Sequence, residues 1–190
     1  MGSPGPPTWS APTSTTNGSN YVKIPLRSSA VLNIENIDRY CFLCSILSHL
    51  FHCNNNHPNR VSNYRQYFDE LNIQGFDFTN GFRCSDFHRF NELNNLSVNI
   101  FELVFYPDQN QWKHKLIPIE VSKNDSDRVI DLAIYKNHYV LIKKLDVFLG
   151  DHYKKYVCKR CLSSYTSENM LMKHKEKCGD DNITTIKTSN

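Results

Sequence analysis

The chain predicts an α+β domain followed by a small unit that folds around a metal. Three observations carry that expectation. Apolar residues recur at helical spacing between positions 38 and 93. Val-, Ile- and Phe-rich runs with a period of two follow between positions 97 and 143. Near the end, four soft ligand side chains cluster as Cys158-x2-Cys161-x12-His174-x3-Cys178. Helices first and strands afterwards point to α+β rather than to alternating βαβ units.

Taken in order, residues 1–20 are Pro, Ser, Thr, Gly and Asn with almost nothing apolar. Such a segment cannot offset its ordering entropy, so it reads as a disordered tail. Residues 21–36 hold Tyr21, Ile24 and Leu26, then Val31, Leu32 and Ile34, enough for one or two extended segments. Leu43, Ile46, Leu47, Leu50 and Phe51 predict a helix with Asp38 as its N-cap, ended by the cluster Asn54 to Pro58. A second helix is expected over 60–71 (Val61, Tyr64, Tyr67, Phe68, Leu71). A third is expected over 85–93, capped by Ser85 with Phe87, Phe90 and Leu93 inward. Strands are expected at 97–106, 115–121 and 128–135, with Asn137 turning the chain into a return strand over 138–143. The expected antiparallel sheet closes the domain over residues 21–150. Residues 145–155 link it to a metal-binding unit over 151–179, and 180–190 form a second disordered tail.

Composition bounds the function. With 39% apolar and 12% aromatic residues, 190 residues can bury a core. A net charge of +3 is too mild to identify a nucleic-acid binder. No apolar run reaches the ~18 residues of a membrane span, and no signal-peptide pattern opens the sequence. Seven cysteines form no even framework, which favours an intracellular, reducing compartment, nucleus or cytoplasm. No carboxylate cluster has the spacing of a two-metal nuclease or polymerase.

The C-terminal run is the strongest signal. Cys158 and Cys161 suit a knuckle on a hairpin. His174 and Cys178, four apart, share one helix face and converge on one ion. Tyr165 and Leu171 stand between the ligand pairs as a miniature core. Thiolate and imidazole in a closed tetrahedral set are what structural zinc prefers, so one structural Zn²⁺ is the expected cofactor. The run resembles a C2H2 zinc finger of ββα form in which the last histidine is replaced by Cys178. By that resemblance Ser167, Asn169, Met170 and Lys173 would face bases. Basic residues surround the run (Lys154, Lys155, Lys159, Arg160, Lys173, Lys175, Lys177), and Asp180 and Asp181 follow it. A single finger covers only about three base pairs. Nucleic-acid contact, protein contact and a purely structural role therefore all stand open.

A second constellation lies upstream. Cys41 opens an apolar helix, where backbone N–H groups and the helix dipole can hold a thiolate or an oxyanion. His138 opens a late strand. Asp38-x-x-Cys41 before an apolar helix, with a late His138-Tyr139, resembles the ovarian-tumour (OTU) family of deubiquitinating cysteine proteases, whose fold is papain-like. That resemblance covers about residues 30–145. It implies Cys41 as nucleophile, His138 as general base, Asp38 as a shaper of the oxyanion loop and a ubiquitin-like protein as substrate. Arg39 and Tyr40 replace the family's small turn, Val140 stands where an orienting polar group is common, and Cys44 lies one helical turn from Cys41. A non-catalytic domain of that fold and a working hydrolase are both consistent with these residues.

A wider resemblance joins the two parts. Cys-Phe-Leu-x-Ser-Ile-Leu (41–47), Arg-Val-Ser-Asn-Tyr (60–64), Leu-Asn-Ile-Gln-Gly-Phe-Asp-Phe (71–78), Asn-His-Tyr-Val-Leu-Ile-Lys (137–143) and Lys-Lys-Tyr-Val-Cys-Lys-Arg-Cys-Leu (154–162) are similar to a region of arthropod Maverick/Polinton-type mobile-element proteins. There the region precedes a protein-primed family B DNA polymerase. The similarity spans about 33–178 and implies mobile-element origin. The expected role is a zinc-binding adaptor for nucleic acid or a protein partner, with the thiol hydrolase as its alternative.

Overall fold

The computed structural model describes residues 24, 29–36, 38–54, 56–108, 111–122, 129–149 and 156–178. The expected tails and residues 150–155 of the expected link lie outside them. Strands β1 (Val31–Leu32), β2 (Ser97–Asp108), β3 (Gln111–Glu120), β4 (Val129–Tyr135) and β5 (His138–Ile142) form one sheet in the order β1-β5-β4-β2-β3. Helices α1 (Cys41–Leu50) and α2 (Phe87–Asn94) precede the long strands, and the short turn α3 (Leu145–Phe148) follows them. The α+β expectation holds in this form.

Strand alternation gives the sheet two apolar faces. One packs Val98, Ile100, Ile130, Leu132, Tyr139 and Leu141 against α1 and α2. Phe42 sits at its centre, stacked on Phe82 at 3.6 Å between ring centroids and edge-on to Phe90 and Tyr139. The other face gathers Phe101, Leu103, Leu116, Ala133, Val140 and Ile142 with Leu145 and Phe148 of α3. Every residue of α1 from Cys41 to Ser48 is buried, because the helix packs between strands β4 and β5 and the segment Arg65–Glu70.

Several sequence expectations change. The sheet is mixed, since β4 pairs parallel to β2 while its other pairings are antiparallel. β3 and β4 flank β2 on opposite sides. The segment expected as a helix over 60–71 is two 3₁₀ stretches, Val61–Asn63 and Arg65–Glu70. Its apolar spacing of Val61, Tyr64 and Tyr67 is three, which suits three residues per turn as well as an α-helix. Asp38 does not cap α1. Tyr40 holds that position, and the Asp38 carboxylate instead accepts from Tyr40 N at 3.1 Å and pairs with Arg65 at 2.8 Å. Ser85 does not cap α2 either; it lies in a 3₁₀ turn, Cys84–Asp86, and the helix begins at Phe87.

The Tyr135–His138 hairpin holds as expected. Lys136 and Asn137 have φ of 50° and 61°, the pair of left-handed residues that a two-residue type I′ turn requires. Strand β3 forms one edge of the sheet. It carries Pro118 opposite Phe101 and a bulge beside it, and Lys113 and Lys115 are exposed along it. Beyond α3, β6 (Tyr156–Val157) and β7 (Ser164–Tyr165) pair antiparallel, and α4 (Glu168–Lys175) completes a ββα unit.

Candidate metal centre

The ββα unit is too small to fold by burial. Among its described residues only Cys158 and Leu171 are fully buried. Its shape is held by backbone bonds around the expected ligands. Cys158 N donates to Ser163 O at 2.9 Å, and Leu162 N donates to Cys158 O at 2.7 Å. That closes a tight turn at the cost of a left-handed Leu162, φ 60°. Ser167 Oγ accepts from Met170 N and so caps α4. The α4 C-terminus is fastened back to the knuckle, because Arg160 Nη1 donates to Cys178 O at 2.7 Å. Tyr165 packs its ring on His174 with centroids 4.9 Å apart, and Leu171 fills the space beneath, as the sequence predicts.

These devices bring Cys158, Cys161, His174 and Cys178 together, with all four ligand atoms within 4.8 Å of one another. The Cys158 and Cys178 sulfurs are 3.7 Å apart, and Cys161 Sγ lies 3.2 Å from His174 Nε2. A tetrahedral zinc with bonds of about 2.3 Å to sulfur would set sulfur pairs at about 3.8 Å. Three thiols and one imidazole therefore fit one metal ion and could bind zinc. Four protein ligands around one ion would form the closed set that structural sites use.

The helix positions that the zinc-finger resemblance would turn toward bases divide. Ser167 is engaged as the helix cap. Asn169, Met170 and Lys173 are exposed, with Met170 51% accessible and aligned with Lys173 one turn on.

The Cys41–His138 pair is not assembled in the same way. Cys41 is the first residue of α1 and only 6% accessible, packed on the α1 side of the sheet with Tyr139 and Leu141. Burial pushes its thiol up from the ordinary range. Backbone bonds from Tyr139 and Phe42 act the other way and are outweighed. Cys44, deeper in the helix, is pushed up to about 12 by burial. His138 pairs across the sheet with Tyr135, and Tyr135 belongs to the opposite core. With Val140 and Ile142 also in that core, alternation places His138 on the face away from Cys41. Its Nε2 lies 2.7 Å from Asn33 Oδ1, and burial lowers its imidazole to about 4. The Asn33 amide thus orients His138, and no local sequence pattern marks it. The structure does not place the pair within reach of each other. Asp38 shapes the turn before Cys41 by accepting from Tyr40 N.

No family model, no curated protein and no solved structure matches the chain significantly. The site therefore rests on its own geometry.

An ion pair between the two parts is not visible in the spacing. Asp131 on β4 is 7% accessible; Asn99 Nδ2 donates to its Oδ1 at 2.7 Å, and Lys159 Nζ lies 2.9 Å from its Oδ2. Lys159 stands between the ligands Cys158 and Cys161. Its partner lies far back in the sequence, so only a lysine inside the knuckle and a lone Asp within an apolar strand could have hinted at the pairing.

Proposed function

We propose that the chain is a zinc-binding adaptor of mobile-element origin, in which a diverged papain-like, OTU-like domain without catalysis carries one C2HC zinc finger. The observation that carries the reading is the Cys158, Cys161, His174 and Cys178 cluster, whose ligand atoms lie within 4.8 Å. The free face of α4, with Asn169, Met170 and Lys173, is the surface offered to a nucleic-acid or protein partner. The origin rests on the sequence runs from Cys41 to Leu162. None of the seven cysteines is paired in a disulfide, which suits a reducing compartment. No described helix is long and apolar enough to cross a membrane.

Metal analysis of the purified chain should give one zinc per molecule, and Cys158→Ser should lose it. Binding to DNA and RNA over a salt series then separates partners. A negative slope of log affinity on log salt marks phosphate contact, and no binding to either polymer moves the surface to a protein.

The thiol hydrolase remains as a second reading on one observation: Cys41 opens α1 with backbone bonds from Tyr139 and Phe42 on its sulfur. A ubiquitin-based electrophilic probe decides it. Labelling that disappears in Cys41→Ser would establish the hydrolase, and absence of labelling under reducing conditions retires it.

A further inference from the structure

We infer that the knuckle is a docked part of the α+β domain, so that metal occupancy of the finger sets the stability of the central strand β4. The inference rests on the zinc reading above. Its evidence is the interleaving of two sets of residues. Cys158 and Cys161 are ligands; Val157, Lys159 and Leu162 are the residues that meet the domain. Val157 and Leu162 pack on the second core, beside Phe101, Val140 and Phe148. Lys159 reaches Asp131, whose strand lies between β5 and β2 in the middle of the sheet.

Asp131 is a carboxylate in an apolar strand, and its two oxygens are divided between two elements. Asn99 serves Oδ1 and is itself held, because Ser122 N donates to Asn99 Oδ1 at 2.8 Å. Oδ2 takes the ammonium that the knuckle delivers. A carboxylate this buried is costly when its ion partner is removed. The Lys159 side chain is 40% accessible, so solvent softens that cost without abolishing it.

Lys159 has no helix or long strand to hold it in place. Its backbone position depends on the five-residue turn from Cys158 to Leu162, which contains two of the ligands and is closed by one bond from Leu162 N and a left-handed Leu162. Without a metal that turn loses its anchor, and the docking residues leave with it. The coupling is reciprocal. If metal stabilises β4, then breaking the Lys159–Asp131 contact weakens metal binding by the same factor.

The test uses the full chain loaded with one equivalent of zinc, hydrogen exchange read over residues 129–142, and thermal unfolding. Chelation should speed exchange in β4 and lower the main melting temperature. Lys159→Met in zinc-loaded protein should reproduce the faster exchange and lower the midpoint by about 2–4 °C while zinc stays bound. Asp131→Asn with Lys159→Met should blunt the response to chelation, which guards against a single variant that merely misfolds. Zinc uptake with β4 exchange unchanged by chelation overturns this inference and leaves the zinc reading intact. A chain that takes up no zinc overturns both.

Discussion

Burial sets the behaviour of His138. Its imidazole is held at about 4, against about 6.5 for a free histidine. As pH falls through about 6.5 the unfolded chain takes up a proton there, while the folded chain resists until about 4. Stability is therefore full above 6.5 and is lost between 6.5 and 4, by roughly 3 kcal/mol from this residue. Urea midpoints at pH 7 and pH 4.5 should show that loss in the native chain and a smaller one in His138→Gln. A second residue-scale expectation concerns Cys178. Cys178→His restores the two-cysteine, two-histidine set and should keep one zinc per molecule, whereas Cys178→Ala should lower zinc affinity at least tenfold in competition with a chelator. The four ligands were legible in the sequence because their spacing alone encodes convergence. Asn33 was not, since it stands 105 positions from the histidine it orients and no local pattern marks it.

At the scale of the element, α4 depends on its cap. Ser167→Ala removes the acceptor for Met170 N and should cost the helix about 1 kcal/mol. The unit folds with its metal, so that cost should emerge as about fivefold weaker zinc binding in the same competition assay. If Ser167 instead read bases, the variant would change nucleic-acid selectivity and leave zinc affinity untouched. The elements also show what periodicity can and cannot carry. Helix α1 and the β4–β5 hairpin were readable because one spacing, or one turn dipeptide, fits each. The 60–71 segment departs from the expected α-helix because residues spaced by three satisfy two helix types. Tyr64, buried with its hydroxyl donating to Pro58 O at 2.6 Å, anchors the tighter one. The parallel β2–β4 pairing was invisible, because strand period reports faces and not neighbours.

At the scale of the whole molecule, two cores among the described residues share the five-stranded sheet. Strands β2, β4 and β5 give alternate residues to each core, so neither cluster can come apart while the other keeps its strands. Phe42→Ala should cost about 3–5 kcal/mol and Leu103→Ala about 2–5, one in each core. Both should shift a single calorimetric transition of zinc-loaded protein without splitting it. Two separated transitions in either variant would show the layers to be independent. The catalytic alternative belongs to this scale as well. The sequence placed Cys41 and His138 correctly on a helix start and a strand start. It could not say which side of the sheet the histidine would face, and that one-residue parity is what separates the pair.

The outer strand β3 bears on how the protein behaves at high concentration. A ten-residue strand at a sheet border is a template on which another chain can crystallise its own backbone, copy after copy. Pro118, the bulge beside it and the exposed lysines at 113 and 115 make this border a poor template. Among the described residues the other border of this sheet, β1, is only two residues long. Fibre growth from the folded state is thereby resisted at the place where it would most readily begin.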